Sequence, residues 1–297
     1  MKEEICRLIT DFVLNYPSLH HTKTRWEEPL IACASARDPL FLQMKEIVSP
    51  AHALPTDIIE DARTVITFYL PFSKEVNLSN LQRHEEGNSA ISSEAWARAY
   101  LETNQVIVDL NTYIHKKLAA RHYQSSKLPP THNFDRQKLI SDWSHKHVAY
   151  IAGLGRFGLH QMLITAKGCS GRLGSIVTNL ELEPTARPQE EYCLYKYNRT
   201  CARCVQKCLN GALQLDAYDR QKCYESCLTN AAKHAEIGYA DVCGKCISDV
   251  PCAFVNPCRG QARPENTQEV NDGDCNGKNE VIKWLYAEVD CHYRDGG

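Results

Sequence analysis

The chain has 297 residues, 43% of them hydrophobic and 24% charged, with a formal net charge of -2 at pH 7. That is enough to bury a substantial core in one large or two modest domains, and the charge balance gives no strong field to recruit nucleic acid or an anionic membrane. No apolar run approaches the roughly 18 residues of a membrane span, and the opening Met1-Lys-Glu-Glu-Ile-Cys6 fits neither a secretory nor a twin-arginine signal, so a cytoplasmic protein is expected.

In chain order, Ile5, Leu8, Ile9, Phe12 and Val13 share one face of a helix predicted from about Lys2 to Asn15, with Pro17 as its stop. Residues 20–50 carry no clear periodicity, and His20 and His21 read as surface polar residues. Asp61 to Pro71 is β-branched and aromatic and reads as a buried strand, the start of a sheet. A polar loop from Ser73 to Ser92 leads to a long helix from about Ser93 to Arg121, broken afterwards by Pro129-Pro130. A short helix follows from Ser144 to Ile151, with Asp142 and Ser144 as candidate caps. Next comes Ala152-Gly-Leu-Gly-Arg-Phe-Gly158, then two apolar runs, Met162 to Thr165 and Leu173 to Thr178, which read as a β-hairpin of the same sheet.

Gly153, Gly155 and Gly158 match the Gly-x-Gly-x-x-Gly spacing of dinucleotide sites. That reading fails, because a helix precedes the motif and a strand follows it, the reverse of what the fingerprint needs. Glycine here allows close approach either of another chain segment or of a flat, bulky cofactor.

The chemistry concentrates between Cys193 and Cys258, which hold ten of the chain's fifteen cysteines. Cys201-x-x-Cys204-x-x-x-Cys208 has the spacing of a bacterial ferredoxin run, and Cys243-x-x-Cys246 followed by Cys252 repeats the pattern after a helical spacer carrying Cys223. The pattern reads as a double 4Fe-4S module. A zinc ribbon would be satisfied by the two Cys-x-x-Cys knuckles alone, leaving Cys193, Cys208, Cys223 and Cys252 without a task, and a disulfide scaffold belongs to small secreted chains.

The glycine motif, Leu173-Gly-Ser-Ile-Val-Thr-Asn-Leu-Glu-Leu182, the cysteine order from Tyr192 to Cys246, and the strand that begins Asp61-Ala-Arg-Thr-Val-Ile66 together resemble the epoxyqueuosine reductase family, which is related to corrinoid-dependent reductive dehalogenases. The resemblance covers roughly residues 55 to 258. It implies an α+β protein: a mixed α/β sheet core over residues 1–185 and a ferredoxin-like two-cluster domain over 186–262. The sequence beyond, 263–297, departs from the family and reads as a polar extension with an amphipathic stretch, Val281 to Val289. Carried over by position, one cluster would use Cys193, Cys201, Cys204 and Cys252, and the other Cys208, Cys223, Cys243 and Cys246. Cys258 is an alternative to Cys252, and Cys227 to Cys223; Cys6, Cys33, Cys169, Cys275 and Cys291 are left as ordinary thiols. Cobalamin is the further cofactor that the resemblance implies, with Gly153, Gly155, Arg156 and Gly158 at its face. Leu139 stands at the family's acid position, so Asp142, His145 and Tyr150 are the candidate proton donors.

The expected function is that of an iron-sulfur oxidoreductase, fed by a donor such as a ferredoxin or flavodoxin and acting on a small-molecule or nucleoside substrate. The alternatives are a 4Fe-4S electron-transfer protein without corrinoid that reduces a partner protein, and a zinc-stabilised binding module.

Overall fold

The computed structural model describes residues 1–81 and 90–261; the polar extension 263–297, with its stretch 281–289, Cys275 and Cys291, lies outside the described residues. In order, the elements are α1 (Lys2–His20), β1 (Leu30–Ser35), α2 (Leu40–Ile47), α3 (Pro55–Ile58), β2 (Thr64–Pro71), α4 (Lys74–Ser79), α5 (Glu94–Ala119), β3 (His132–Asp135), β4 (Ile140–Trp143), α6 (His145–Ile151), β5 (Gly155–Phe157), β6 (Leu163–Thr165), β7 (Gly171–Thr178), α7 (Leu194–Asn198), α8 (Arg203–Lys207) and α9 (Arg220–Lys233), followed by a 3-10 turn at Lys245–Ile247.

Every residue of β2 is buried, because β2 is the middle strand of an antiparallel sheet ordered β1-β2-β7 with helices on both faces. Strand periodicity divides its side chains. Ile66, Phe68 and Leu70 join Ile9 and Val13 of α1 and Ile107, Leu110 and Ile114 of α5 in one core. Val65 and Tyr69 face the other way, into a second core with Phe41 and Met44 of α2, Trp143, and Val148 and Ile151 of α6. Burial of each large side chain contributes about 1.5–3 kcal/mol, which is why an unbroken apolar run is stable in a strand covered on both sides. The result is a mixed α/β core with small antiparallel sheets.

Three sequence expectations need correction. Pro17 does not stop the first helix: it lies buried in the last turn, and the helix runs on to His20, with His21 left-handed at φ 53°. The backbone hydrogen bond lost at proline is offset by packing: the Tyr16 hydroxyl donates to Asp109 at 2.6 Å, and its ring stacks on His20 with centroids 3.9 Å apart. Residues 20–50, without visible periodicity, supply edge strand β1 and helix α2. The run Leu163–Thr165 does not form a hairpin with β7; it pairs backwards with β5, Gly155 opposite Thr165, while β7 pairs with β2. The cause is Gly168, left-handed at φ 78°, where an added Cβ would stand 2.3 Å from the Ala253 carbonyl oxygen. The turn is pulled onto the cysteine-rich segment instead of closing a hairpin.

The described part of the Ser73–Ser92 segment is also more ordered than a polar loop. Ser73 caps α4, its hydroxyl accepting from the Val76 N–H, and α4 together with the residue that follows it presents two fully buried asparagines. Asn77 Nδ2 donates to Ser170 Oγ and the Ile247 carbonyl, and its Oδ1 accepts from the Asp249 N–H. Asn80 Nδ2 donates to the Cys243 carbonyl and Ser248 Oγ, and its Oδ1 accepts from the Ser93 N–H.

Candidate functional site

Four of the predicted ligands, Cys193, Cys201, Cys204 and Cys252, line one small pocket, with His160 in its wall. They come from separate pieces of chain. Cys193 caps α7, Cys201 precedes α8, Cys204 lies inside α8, and Cys252 follows the 3-10 turn. Burial pushes the Cys204 thiol up to about 12, reinforced by the neighbouring sulfurs of Cys252, Cys193 and Cys201.

The other four, Cys208, Cys223, Cys243 and Cys246, form a second group. Burial raises the Cys246 thiol well above its usual range, with the sulfurs of Cys243, Cys223 and Cys208 as the nearest charges adding to the effect. Cys208 terminates α8, Cys223 and Cys227 lie one turn apart on α9, and Cys243 and Cys246 flank Gly244. Gly244 has φ 70°, and an added Cβ would stand 2.2 Å from the Trp96 ring, so the knuckle closes only with glycine there.

In each group one thiol is set apart by its neighbours. Cys252 is lowered to about 5, first by a hydrogen bond from Cys169 and then by His160, against the opposing effect of burial. Cys223 is lowered to about 6, first by Cys227 and then, against burial, by the Tyr218 hydroxyl and nearby Lys146. Cys208 Sγ accepts from the Leu213 N–H at 3.2 Å. Such donors favour a charged sulfur, and Lys196 beside Cys193 and Lys245 beside Cys243 add positive charge. Two crowded sets of soft sulfur donors, each with hydrogen-bond donors and a cation at its edge, fit thiolate-ligated iron-sulfur clusters. The spare thiols lie next to the sets: Cys227 beside Cys223 and Cys243, Cys258 beside Cys193 and Cys252.

The predicted proton donors do not come together. His145 is buried, its Nε2–H donating to the Pro129 carbonyl at 2.9 Å while Nδ1 meets Ser175 Oγ at 2.9 Å. Ser175 Oγ also accepts from the Trp143 indole N–H at 2.9 Å, and burial lowers the imidazole to about 4. A ring so engaged is a neutral strut of the core. Tyr150 lies under Arg156, the guanidinium carbon 5.7 Å from the ring centre. Asp142 keeps a side chain 23% exposed and accepts from Asn133 Nδ2 at 2.7 Å, with His132 Nδ1 at 2.5 Å.

The glycine motif also reads differently in three dimensions. A Cβ at Gly153 (φ 86°) would stand 2.8 Å from the Ala186 carbonyl oxygen, one at Gly155 2.0 Å from that of Ile164, and one at Gly158 2.7 Å from the His160 ring. The chain's own packing against backbone accounts for Gly153 and Gly155, and the His160 ring fills the space at Gly158, so the motif by itself is no argument for a corrinoid surface. Arg156 is engaged with Tyr150, its Nη1 donating to the hydroxyl at 3.4 Å.

The sequence did not single out Asn77, Asn80, His160 or Cys169 as site residues. His160 had a weak signal, a histidine two residues past the last glycine of the motif; the asparagines had only a polar spacing of three.

Comparison with protein-family models and with curated proteins gives no match. Among solved structures, epoxyqueuosine reductase from Streptococcus thermophilus matches 90% of this chain and 68% of its own, at 17% identity and a TM-score of 0.51. The chain has the epoxyqueuosine reductase fold. An epoxyqueuosine reductase with a tRNA-Tyr epoxyqueuosine-modified stem loop matches 85% of this chain and 65% of its own, at 16% identity and a TM-score of 0.51. A catabolic reductive dehalogenase matches at 17% identity with a TM-score of 0.48, over 75% of this chain and 30% of its own. The chain thus spans about two thirds of the length of the epoxyqueuosine reductases it matches. No helix among the described residues is long and apolar enough to cross a membrane.

Proposed function

We propose that the protein is a two-cluster iron-sulfur reductase built on the epoxyqueuosine reductase fold. The observation that carries this reading is the convergence of Cys193, Cys201, Cys204 and Cys252 on one cavity beside the second group of Cys208, Cys223, Cys243 and Cys246. Cys193, Cys201, Cys204 and Cys252 would hold one 4Fe-4S cluster and the second group the other; such clusters supply single-electron transfer. The chain buries Cys193 and Cys204 and half-buries the other six thiols, offers hydrogen bonds to Cys252, Cys223 and Cys208, and places lysines at the edges of the two sets. Reduction at carbon also needs a proton. Asp142 is assigned that role on its partly exposed carboxylate, which is paired with His132, whereas His145 is locked in the core. The substrate class is a small molecule or a nucleoside, the latter supported by the tRNA stem loop of one structural neighbour. Electrons would come from a carrier such as a ferredoxin or flavodoxin.

The packed glycine motif favours a second reading: an electron-transfer protein that keeps the clusters, takes no corrinoid and reduces a partner protein. Anaerobic purification with iron and sulfide analysis tests the common part. About eight irons per chain are expected, with about half lost in Cys204→Ser and about half in Cys246→Ser; unchanged iron in both variants refutes the cluster reading. Adding cobalamin to the loaded protein separates the branches, since tight binding supports the reductase and none leaves electron transfer. For the reductase branch, Asp142→Asn should cut turnover of an epoxyqueuosine-containing stem loop at least a hundredfold.

A further inference from the structure

His160 and Cys169 belong to neither thiol group, yet both are buried against the sulfur of Cys252. His160 Nε2 stands 3.4 Å from Cys252 Sγ, and Cys169 Sγ stands 4.0 Å from it. A histidine and two cysteines so close could be taken for a metal site, since their donor atoms lie within 4.8 Å of one another. The other ring nitrogen decides against it. The Met162 N–H donates to His160 Nδ1 at 3.1 Å, so Nδ1 uses its lone pair as an acceptor and the neutral ring carries its proton on Nε2. A protonated Nε2 has no lone pair for a metal; it has a hydrogen aimed at sulfur.

We propose that His160 and Cys169 are positioning residues that donate hydrogen bonds to the Cys252 sulfur and so raise the reduction potential of the cluster bound by Cys193, Cys201, Cys204 and Cys252. This rests on the cluster assignment above and goes beyond it. A donor aimed at a ligand sulfur stabilises the more negative, reduced state of a cluster more than the oxidised one.

The local backbone is shaped for these two contacts. Gly158 leaves free the volume that the His160 ring occupies: a Cβ there would stand 2.7 Å from Cε1 and 2.9 Å from Nε2. Gly168 does the same on the other side, letting the turn settle on Ala253. The Cys169 N–H then donates to the Cys252 carbonyl at 3.0 Å, and the Ser170 N–H to that of Ala253 at 3.0 Å, fixing the two sulfurs' loops together. Two glycines thus clear the way for two donors to one sulfur.

The test is a redox titration of the full chain loaded with iron and sulfide, followed by the electron paramagnetic resonance signal that Cys204→Ser abolishes. At the parent's midpoint, His160→Leu should lower that cluster's ratio of reduced to oxidised form by about five- to tenfold, tenfold being about 59 mV for one electron. His160→Gln, which keeps an N–H, should recover part of the shift. Cys169→Ala and Gly158→Ala should move the potential the same way, and the signal that Cys246→Ser abolishes should not move. A His160→Leu cluster at the parent's potential overturns the proposal, as does a Gln variant shifted as far as Leu. If His160→Leu fails to hold the cluster, Cys169→Ala and Gly158→Ala decide by the same criterion. Absence of the signal in the parent refutes the cluster assignment itself, a different failure.

Discussion

The two thiol groups use the same residue at similar spacings but lean on different parts of the molecule. The Cys193 group is braced by the sheet core, through His160 after β5 and the 168–170 turn before β7. The Cys243 group hangs from Asn77 and Asn80, at the end of a short helix between β2 and α5, and from the Trp96 ring. The supports differ but touch, Asn77 Nδ2 donating to Ser170 Oγ of the 168–170 turn, and the thiols are interleaved, Cys204 and Cys208 sharing one helix end. Two groups of nearly the same chemistry should therefore respond unequally when a support of one of them is changed.

The largest effect is expected at Gly244→Ala. It places a Cβ against the Trp96 ring at a left-handed position, so the chain should lose several kcal/mol of stability and about half its iron, read by urea unfolding and iron analysis. Equal loss of both cluster signals would break the comparison. Asn80→Ala leaves the Cys243 carbonyl and the Ser93 N–H without this partner, at a cost of about 3 kcal/mol. The signal of the Cys243 group should weaken while that of the Cys193 group stays.

A pH effect sharpens the view of the core as a separate support. His145 titrates at about 4 when folded against 6.5 in the ordinary range, so the unfolded chain binds the extra proton between those values and stability falls as pH drops through that window. Replacing it with Gln should flatten the slope by on the order of 3 kcal/mol between pH 7 and pH 4. His52, also lowered to about 4 by burial, leaves a residual slope of the same sign. The smallest effect is expected at Arg121→Gln, which removes an exposed pair with Glu4 far from both groups. Neither the urea midpoint nor the iron content should change measurably.

Much of this architecture was legible from local pattern. β2, α5 and α6 follow from an unbroken apolar run, a sustained helical repeat and a short helical run, because local preference and burial agree there, although Ser144 at the start of α6 makes no capping bond and Asp142 binds His132 and Asn133 instead. The grouping of the cysteines had a different signal, thiols recurring at spacings that a turn can close. What escaped depends on long-range contact. β1 is an edge strand whose role is set by pairing Cys33 with Ile66, and the turn after β6 lies against Ala253, far along the chain. Asn77 and Asn80 look like any polar spacer until the carbonyls they bind are known. The glycine motif left two explanations open, and only the neighbours at 2.0–2.8 Å identified packing as a sufficient one.

The sheet order also has a consequence for biogenesis. The last strand to join β1 and β2 ends at Thr178, and every thiol of the two groups comes later in the sequence. A chain emerging from the ribosome N-terminus first can therefore close its central sheet before any of those eight cysteines is available. On the cluster reading proposed above, metal loading is then a late maturation event on a preformed platform, and iron starvation should yield a chain whose strands β1, β2 and β7 resist protease while the segment from 193 to 258 is cut.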